Sequence, residues 1–366
     1  MNDNEFMELA LSLAEKGVGQ VEPNPMVGCV IVKDDKIIGR GWHEKFGGPH
    51  AEVNAIADCR KNGCSPEGST VYVTLEPCSH FGKTPPCADA LIEAKVAKVI
   101  AAMVDPSKHV AGKGIEKLRA AGIEVGVGLC EEKARALNAP FIKFAETGKC
   151  WVIVKWAQSK DGKLSWSPDS GQRWISNEKS RADAHKIRRS VQAILVGVDT
   201  VIADDPLLTP RPSDGRKPAR IVLDTHLRIP LDCKLLSTAK DSPVLIVTTN
   251  KAIDQKPDLV NTIKKAGAEI LIVPLKNNTC DITELLKQLA ARQIVQLLVE
   301  GGAKVITSFL ENSLADEMVV YISDETLGQK GCVDITEPMK KLTARSSLTN
   351  AEITQLDNNT RIRKLI

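Results

Sequence analysis

The residues of this chain with the types and spacing for chemistry begin with His50-Ala51-Glu52 and continue, after one apolar segment, with Pro77–Cys87, which reads PCSHFGKTPPC. One imidazole and two thiolates form the donor set of a catalytic zinc, which takes three protein ligands and keeps a fourth position open. Such an ion brings the pKa of water to about 7 and supplies a nucleophile at neutral pH. His50, Cys78 and Cys87 are the expected ligands, and Glu52 the expected carrier of a proton from water to a departing amine. Side chains two residues apart on an ideal helix point about 200° away from each other. His50 can then face a metal while Glu52 faces a substrate, provided both sit in an irregular first turn. The chemistry these groups support is hydrolytic deamination. Zinc deaminases carry H-x-E followed by P-C-x-x-C, whereas here eight residues separate Cys78 from Cys87 and His80 falls between them. His80 competes for the third position. Cys87 is preferred, because two thiolates and an imidazole are the described set and Pro86 marks a helix start. With His80 as a fourth ligand the zinc would be structural, the protein a scaffold, and Glu52 without a task.

Several elements must hold these residues. The spacing predicts a helix over 4–16, with Phe6, Met7, Ala10, Leu13 and Ala14 on one face, and then a Pro23-Asn24-Pro25 turn. Strands are expected over 27–32 and 37–41, a helix from His50 onward, a strand over 71–75 and a helix from about Pro86 to Ala94. Cys78 and Cys87 each follow a proline and are both expected near a helix start, where the dipole favours thiolate. Strands over 96–103 and 123–127, around a helix at 115–121 and before another at 131–138, complete an α/β layer pattern. Past Glu146-Thr147-Gly148-Lys149 the alternation resumes. Strands are expected over 151–155, 191–197, 220–224, 244–248, 269–273 and 295–300, and helices over 177–189, 258–266 and 283–292. A terminal hairpin is expected to turn at Asn358-Asn359. The expected domains are therefore 1–146 and 150–366.

A length of 366 residues exceeds what one core usually organises, which independently favours two domains. The 49 basic and 46 acidic residues leave +3, too weak a balance to argue for a nucleic-acid or membrane partner. An RNA-editing deaminase would favour stacking aromatics, yet aromatics are 4% of this chain. There is no apolar run of bilayer length and no signal region in MNDNEFMELA, so a cytoplasmic location is expected. In that reducing compartment the ten cysteines are thiols or ligands rather than disulfides. Cys29, inside an apolar strand, reads as packing.

The order NPMVG (Asn24–Gly28), HAE (His50–Glu52) and PCSHFGKTPPC resembles the pyrimidine deaminase half of the bifunctional riboflavin-biosynthesis deaminase/reductase family. The long loop between the cysteines is that family's form of the zinc loop. KWAQSKDGK (Lys155–Lys163), RWIS (Arg173–Ser176), DTVIADDPLLTPR (Asp199–Arg211) and EGGAKV (Glu300–Val305) resemble its reductase motifs, so the likeness spans essentially the whole chain. The resemblance implies a cytidine-deaminase-like three-layer α/β/α first domain and a dihydrofolate-reductase-like α/β second domain. It also implies two reactions. The ring amine of 2,5-diamino-6-ribosylamino-4(3H)-pyrimidinone 5′-phosphate is replaced by oxygen, and NADPH then reduces the ribosyl group to ribityl. By the same resemblance Asn24 holds the pyrimidine, while Ala157, Trp174, Thr200, Asp204, Thr225 and Gly302 line the NADPH site. Arg188, Leu207, Arg211 and Glu300 contact the pyrimidine ribose phosphate. The expected partner is that small molecule, with no nucleic acid and no membrane, and a homo-oligomer (dimer or tetramer) is expected.

Without the resemblance the second half says less. It has no G-x-G-x-x-G fingerprint. Gly301-Gly302 between a strand and a helix lets a phosphate approach backbone N–H groups, and a plain loop fits equally well. The polar segment Thr200–Arg211 follows a strand, where α/β folds place both binding loops and simple connections. Two arginines suit a phosphate, which a guanidinium grips through paired hydrogen bonds. The family often has a small hydroxyl residue two positions before the tryptophan, where this chain has Gln172. Lys155 and Asp161 are candidates for assisting ring opening.

Overall fold

Side-chain alternation along one strand sorts the first half of the chain into layers. In β1 (Gly28–Lys33), Cys29 and Ile31 pack on one face with Ala51, Ala55, Ala88, Leu91 and Leu118. Val30 and Val32 pack on the other with Phe6, Met7, Ala10 and Ile142. Those partners belong to α2 (Ala51–Lys61), α3 (Cys87–Glu93) and α4 (Lys113–Ala120) on the first side, and to α1 (Asp3–Ala14) and the helix Ala139–Thr147 on the second. The sheet runs β2-β1-β3-β4-β5, with β2 (Lys36–Trp42) antiparallel to β1, and β3 (Thr70–Val73), β4 (Lys98–Ala101) and β5 (Glu124–Val127) parallel to one another. This is the three-layer α/β/α arrangement. The computed structural model describes residues 1–81, 85–107, 110–213 and 215–366 and divides into two compact units, Met1–Gly148 and Lys149–Ile366.

Two details of the first unit place the site. The chain after β5 forms two helices, Glu131–Leu137 and Ala139–Thr147, parted at Asn138. The buried Asn138 amide accepts from the Met26 N–H and donates to the Met26 carbonyl, both at 2.9 Å, which pins the turn carrying Asn24. The helix expected over 131–138 is thus the first of a pair. The second detail is the closeness of α2 to β2. A Cβ on Gly41 would lie 2.3 Å from the Ala55 nitrogen and 2.4 Å from the Ala51 carbonyl oxygen.

The second unit is built on a nine-stranded sheet. Its strands are β6 (Trp151–Gln158), β7 (Ala193–Gly197), β8 (Ala219–Leu223), β9 (Val244–Thr248) and β10 (Glu269–Ile272), then β13 (Gln296–Val299), β14 (Glu317–Ser323), β15 (Glu352–Leu356) and β16 (Asn359–Leu365). A separate two-stranded sheet pairs β11 (Leu275–Lys276) with β12 (Thr279–Cys280). The large sheet has the order β10-β9-β8-β7-β13-β6-β14-β16-β15, parallel from β10 to β14 and closed by the antiparallel hairpin β15–β16. The pattern reading misses β14, which lies between β6 and β16. It also treats Thr200–Asp204 as loop, whereas Val198–Asp204 is a helix capped by Gly197. The terminal hairpin turns at Asp357-Asn358, with Asn359 already in β16. Within β8, Arg220 is fully buried, and its guanidinium donates to the Leu207 carbonyl (3.3 Å), to the Thr238 hydroxyl and carbonyl (2.7 and 2.9 Å), and to the Ser242 carbonyl (2.5 Å).

The α2–β2 contact is testable. Gly41→Ala drives a methyl group into backbone atoms that cannot rotate away, so a loss of about 3 kcal/mol is expected in urea unfolding. Gly126→Ala is the control: its Cβ would meet only Ile100 Cγ1 at 3.9 Å, and no loss is expected.

Candidate active sites

His50 is the N-cap of α2, with extended backbone, and Glu52 is the second helical residue and buried. The two therefore occupy the irregular helix start that lets them face different ways. His50 Nδ1 lies 3.2 Å from Cys87 Sγ and 3.6 Å from Cys78 Sγ, and the three ligand atoms all fall within 4.8 Å of one another. A tetrahedral zinc with bonds of roughly 2.0–2.3 Å separates its nitrogen and sulfur donors by roughly 3.5 Å, so the set fits the ion. Among the described residues this is the one His/Cys/Asp/Glu group able to hold a metal, and His80, exposed, stands outside it.

The two sulfurs are served by one helix start, not two. Cys87 is the first residue of α3, whereas Cys78 lies in the loop after β3, contrary to the expectation of its own helix start. The Cys87 N–H donates to Cys78 Sγ at 3.3 Å and the Ala88 N–H to the Cys78 carbonyl at 3.1 Å. The Cys78 thiol is pulled down to about 4, by its hydrogen bond with the Cys87 thiol first and by His50 and the Cys87 N–H after that. The shared proton and burial push Cys87 up. Burial, reinforced by negative charge on Cys78, raises the Glu52 carboxyl to about 7, a value suited to a group that both takes and returns a proton. Burial and the nearby Glu52 push the Cys29 thiol well up, leaving it an inert packing group.

Asn24 is oriented by a residue that pattern reading gives no reason to single out. His43 is buried, and its Nδ1 lies 3.1 Å from the Pro49 carbonyl, which can only accept. Its Nε2, 3.1 Å from Asn24 Nδ2, is therefore the acceptor of that pair. Burial lowers the His43 pKa, consistent with a neutral ring. The Asn24 amide is thereby turned with its nitrogen toward His43.

In the second unit the expected cofactor residues gather at the carboxyl ends of neighbouring parallel strands, where open α/β sheets bind ligands. Ala157 is near the end of β6, Thr200 is on the helix after β7, and Glu300–Gly302 follow β13. Gly302 is the N-cap of the helix Ala303–Glu311, and a Cβ there would approach Thr200 Oγ1 to 3.8 Å. The Asp204 carbonyl accepts from Arg173, and Trp174 is exposed, with the guanidinium groups of Arg173 and Arg181 5.0 and 5.1 Å from its ring. Thr225 stands beyond β8, and its hydroxyl accepts from the Cys280 N–H at 3.2 Å.

The residues expected at the ribose phosphate are joined by one ion pair. Arg188 grips Glu300 through two bonds, 2.9 and 2.5 Å, and reaches the Thr209 carbonyl at 3.4 Å, which ties it to the Leu207–Arg211 segment. Burial alone would raise the Glu300 carboxyl, but Arg188 and Lys155 overcome it and hold it at about 2. Burial lowers the Lys155 pKa. His185, which pattern reading passes over, is lowered to about 4 by burial and by Arg188 and Arg211, so its ring is neutral. Asp161 is occupied: its carboxylate accepts from Ser159 Oγ at 2.6 Å and from the Leu327 and Gly328 N–H groups at 3.1 and 2.8 Å. Gln172 is exposed.

Comparison with known proteins places both units. Residues 150–361 match the RibD C-terminal domain, and residues 1–103 match the cytidine and deoxycytidylate deaminase zinc-binding region. The riboflavin biosynthesis protein RibD of Aquifex aeolicus is 45% identical over 329 residues, 89% of this chain and 88% of that one. RibD of Escherichia coli is 39% identical, covering 90% of this chain and 89% of its own. Among solved structures, Acinetobacter baumannii RibD superposes with a TM-score of 0.81 at 38% identity, covering 100% of this chain and 98% of that one. The Thermotoga maritima diaminohydroxyphosphoribosylaminopyrimidine deaminase/5-amino-6-(5-phosphoribosylamino)uracil reductase gives 0.81 at 34% identity, covering 98% and 97%. No helix among the described residues is long and apolar enough to cross a membrane. With likeness of this strength running through both units, the chain belongs to the RibD family of riboflavin-biosynthesis enzymes, which join a zinc-binding deaminase to a reductase.

Proposed function

We propose that the first unit deaminates 2,5-diamino-6-ribosylamino-4(3H)-pyrimidinone 5′-phosphate and that the second reduces the ribosyl group of the product to ribityl with NADPH. The observation that carries the first half is the convergence of His50, Cys78 and Cys87 beside the buried Glu52. The Thermotoga relative, named for both activities, supports the pairing. Zinc held by these three residues supplies the Lewis acidity that makes water a nucleophile near neutral pH. Glu52 takes a proton from the attacking water and delivers it to the ring amine, which leaves as ammonia. The Asn24 carbonyl, fixed by His43, accepts from a pyrimidine N–H and holds the ring in place.

In the second unit NADPH supplies the hydride, and the protein's task is to orient donor and acceptor. Ala157, Thr200, Asp204 and Gly302, with Trp174 and Thr225, line the cofactor side. Arg188, Leu207, Arg211 and Glu300 hold the ribose phosphate. Glu300 fixes the plane of the Arg188 guanidinium, so that its remaining N–H groups face the ligand with little loss of side-chain freedom.

The assignments separate by experiment. Cys87→Ala is expected to lose tightly bound zinc and His80→Ala to keep it, as read by metal analysis; the reverse makes His80 the ligand. Glu52→Gln is expected to retain zinc while ammonia release falls by about two orders of magnitude or more. The same variant should reduce pre-deaminated substrate at the normal rate. Arg211→Ala should behave in the opposite way, since losing a charged partner of the phosphate costs about 1.5–3 kcal/mol. Its KM for the deaminated substrate should rise roughly tenfold or more while ammonia release continues. Following ammonia and NADPH absorbance separately with each substrate checks both variants.

A further inference from the structure

Glu76 lies next to the Pro77-Cys78 turn and has no part in the chemistry described so far. It is 3% exposed, and its carboxylate accepts four backbone N–H groups from a segment far along the chain. Asp105 and Gly112 donate to Oε2 at 3.1 and 2.9 Å, and Gly114 and Ile115 to Oε1 at 2.8 and 3.3 Å. The last two are among the first N–H groups of α4, which have no partner within the helix and favour a negative charge. The Glu76 N–H also donates to the Met103 carbonyl at 3.0 Å. The same segment presses on the next residue: a Cβ on Gly114 would lie 1.9 Å from the Pro77 carbonyl oxygen. Only glycine lets the backbone come so close to the turn that carries Cys78.

We infer that Glu76 is a positioning residue for the metal centre, its carboxylate clamping the Pro77-Cys78 turn onto Asp105 and the Gly112–Ile115 start of α4 and so fixing the Cys78 sulfur. This rests on reading His50, Cys78 and Cys87 as zinc ligands. The Cys78 turn is then held from two sides. On one side the α3 start binds its sulfur and its carbonyl, and on the other α4 acts through Glu76. A ligand sulfur free to swing would spend part of its time out of reach of the ion, which raises the rate of metal loss. Removing groups that orient metal ligands typically costs about 10–100-fold in metal affinity.

The test uses the full chain loaded with zinc, and separately with cobalt(II) for its visible spectrum. Glu76→Gln keeps the shape but turns an NH2 group toward two N–H donors. Gly114→Ala keeps the carboxylate but, from the same α4 start, pushes away the Pro77 carbonyl oxygen (1.9 Å from the added Cβ) and crowds Glu76 Oε1 (3.2 Å). Both variants are expected to release zinc to a colorimetric chelator about tenfold faster or more. Both should also shift the cobalt absorption bands, at a temperature where circular dichroism shows them folded. A purely structural role would lower the unfolding temperature and leave release rate and spectrum as in the wild type; that result in a folded variant overturns the inference. If Glu76→Gln does not fold, Gly114→Ala and Glu76→Asp decide by the same two readouts. A wild-type chain that holds no zinc sinks the ligand reading, and this inference with it. A wild type that holds zinc beside variants that hold it equally well sinks the positioning role alone.

Discussion

The first unit depends on gathering two sulfurs, an imidazole and a carboxyl inside an apolar wall without leaving any of them unsatisfied. Buried polar groups that lack partners cost several kilocalories per mole, so each needs a designated neighbour. The Cys87 N–H serves Cys78, His50 lies against both sulfurs, and Glu52, buried nearly completely, keeps its proton until about neutral pH. Apart from the site, α2 and α3 contribute mainly small residues to the core, Ala51, Ala55 and Ala88 among them. Small side chains let the helices sit close to the sheet, so the two helix starts bring their polar groups together at short range.

The second unit meets a similar demand with charge rather than metal. Arg188 and Glu300 are 19% and 7% exposed, so the pair is largely removed from water. Breaking one partner of such a pair strands the other, typically at a cost of about 3–5 kcal/mol. Lys155 and His185 share the neighbourhood, and their pKa values fall chiefly through burial and secondarily through the positive charge of Arg188. One carboxylate, Glu300, is thus held among the basic side chains Arg188, Lys155 and His185. The group is assembled from strand ends that lie adjacent in the sheet, since β6 carries Lys155 and Glu300 follows β13.

The chemistry of the first unit was legible in the sequence because its signals are local. H-x-E, Pro-Cys and Pro-Pro-Cys each occupy a few consecutive residues, and the strand Val71–Val73 between them is uniformly apolar. What escaped was non-local. β14 is apolar from Met318 to Ile322 but opens on Glu317, which follows Asp316, and that charged start hides a strand whose Glu317 is 4% exposed, with Trp151 and Arg363 binding its carboxylate across the sheet. The helix Val198–Asp204 is rich in residues of poor helix propensity and forms where β7 ends in a Gly197 cap. His43 and Glu76 matter through the Pro49 carbonyl, Asn24 and backbone N–H groups up to 39 positions away, and no spacing rule reports those bonds.

Arg220 ties a stretch of surface chain to the middle of a sheet. A guanidinium cannot shed its charge, so it cannot relax by neutralising when its acceptors move. Lifting the segment at Leu207 would take one carbonyl from a buried cation that the Thr238 and Ser242 acceptors still hold, and lifting all three would leave it bare. The Leu207 segment and the turn from Thr238 to Ser242 are therefore parts of one cooperative unit with β8. Surface segments ordinarily open at little cost and exchange their amide hydrogens quickly. This one is tethered to a buried strand, so opening it costs a charge-assisted hydrogen bond in addition to its own contacts.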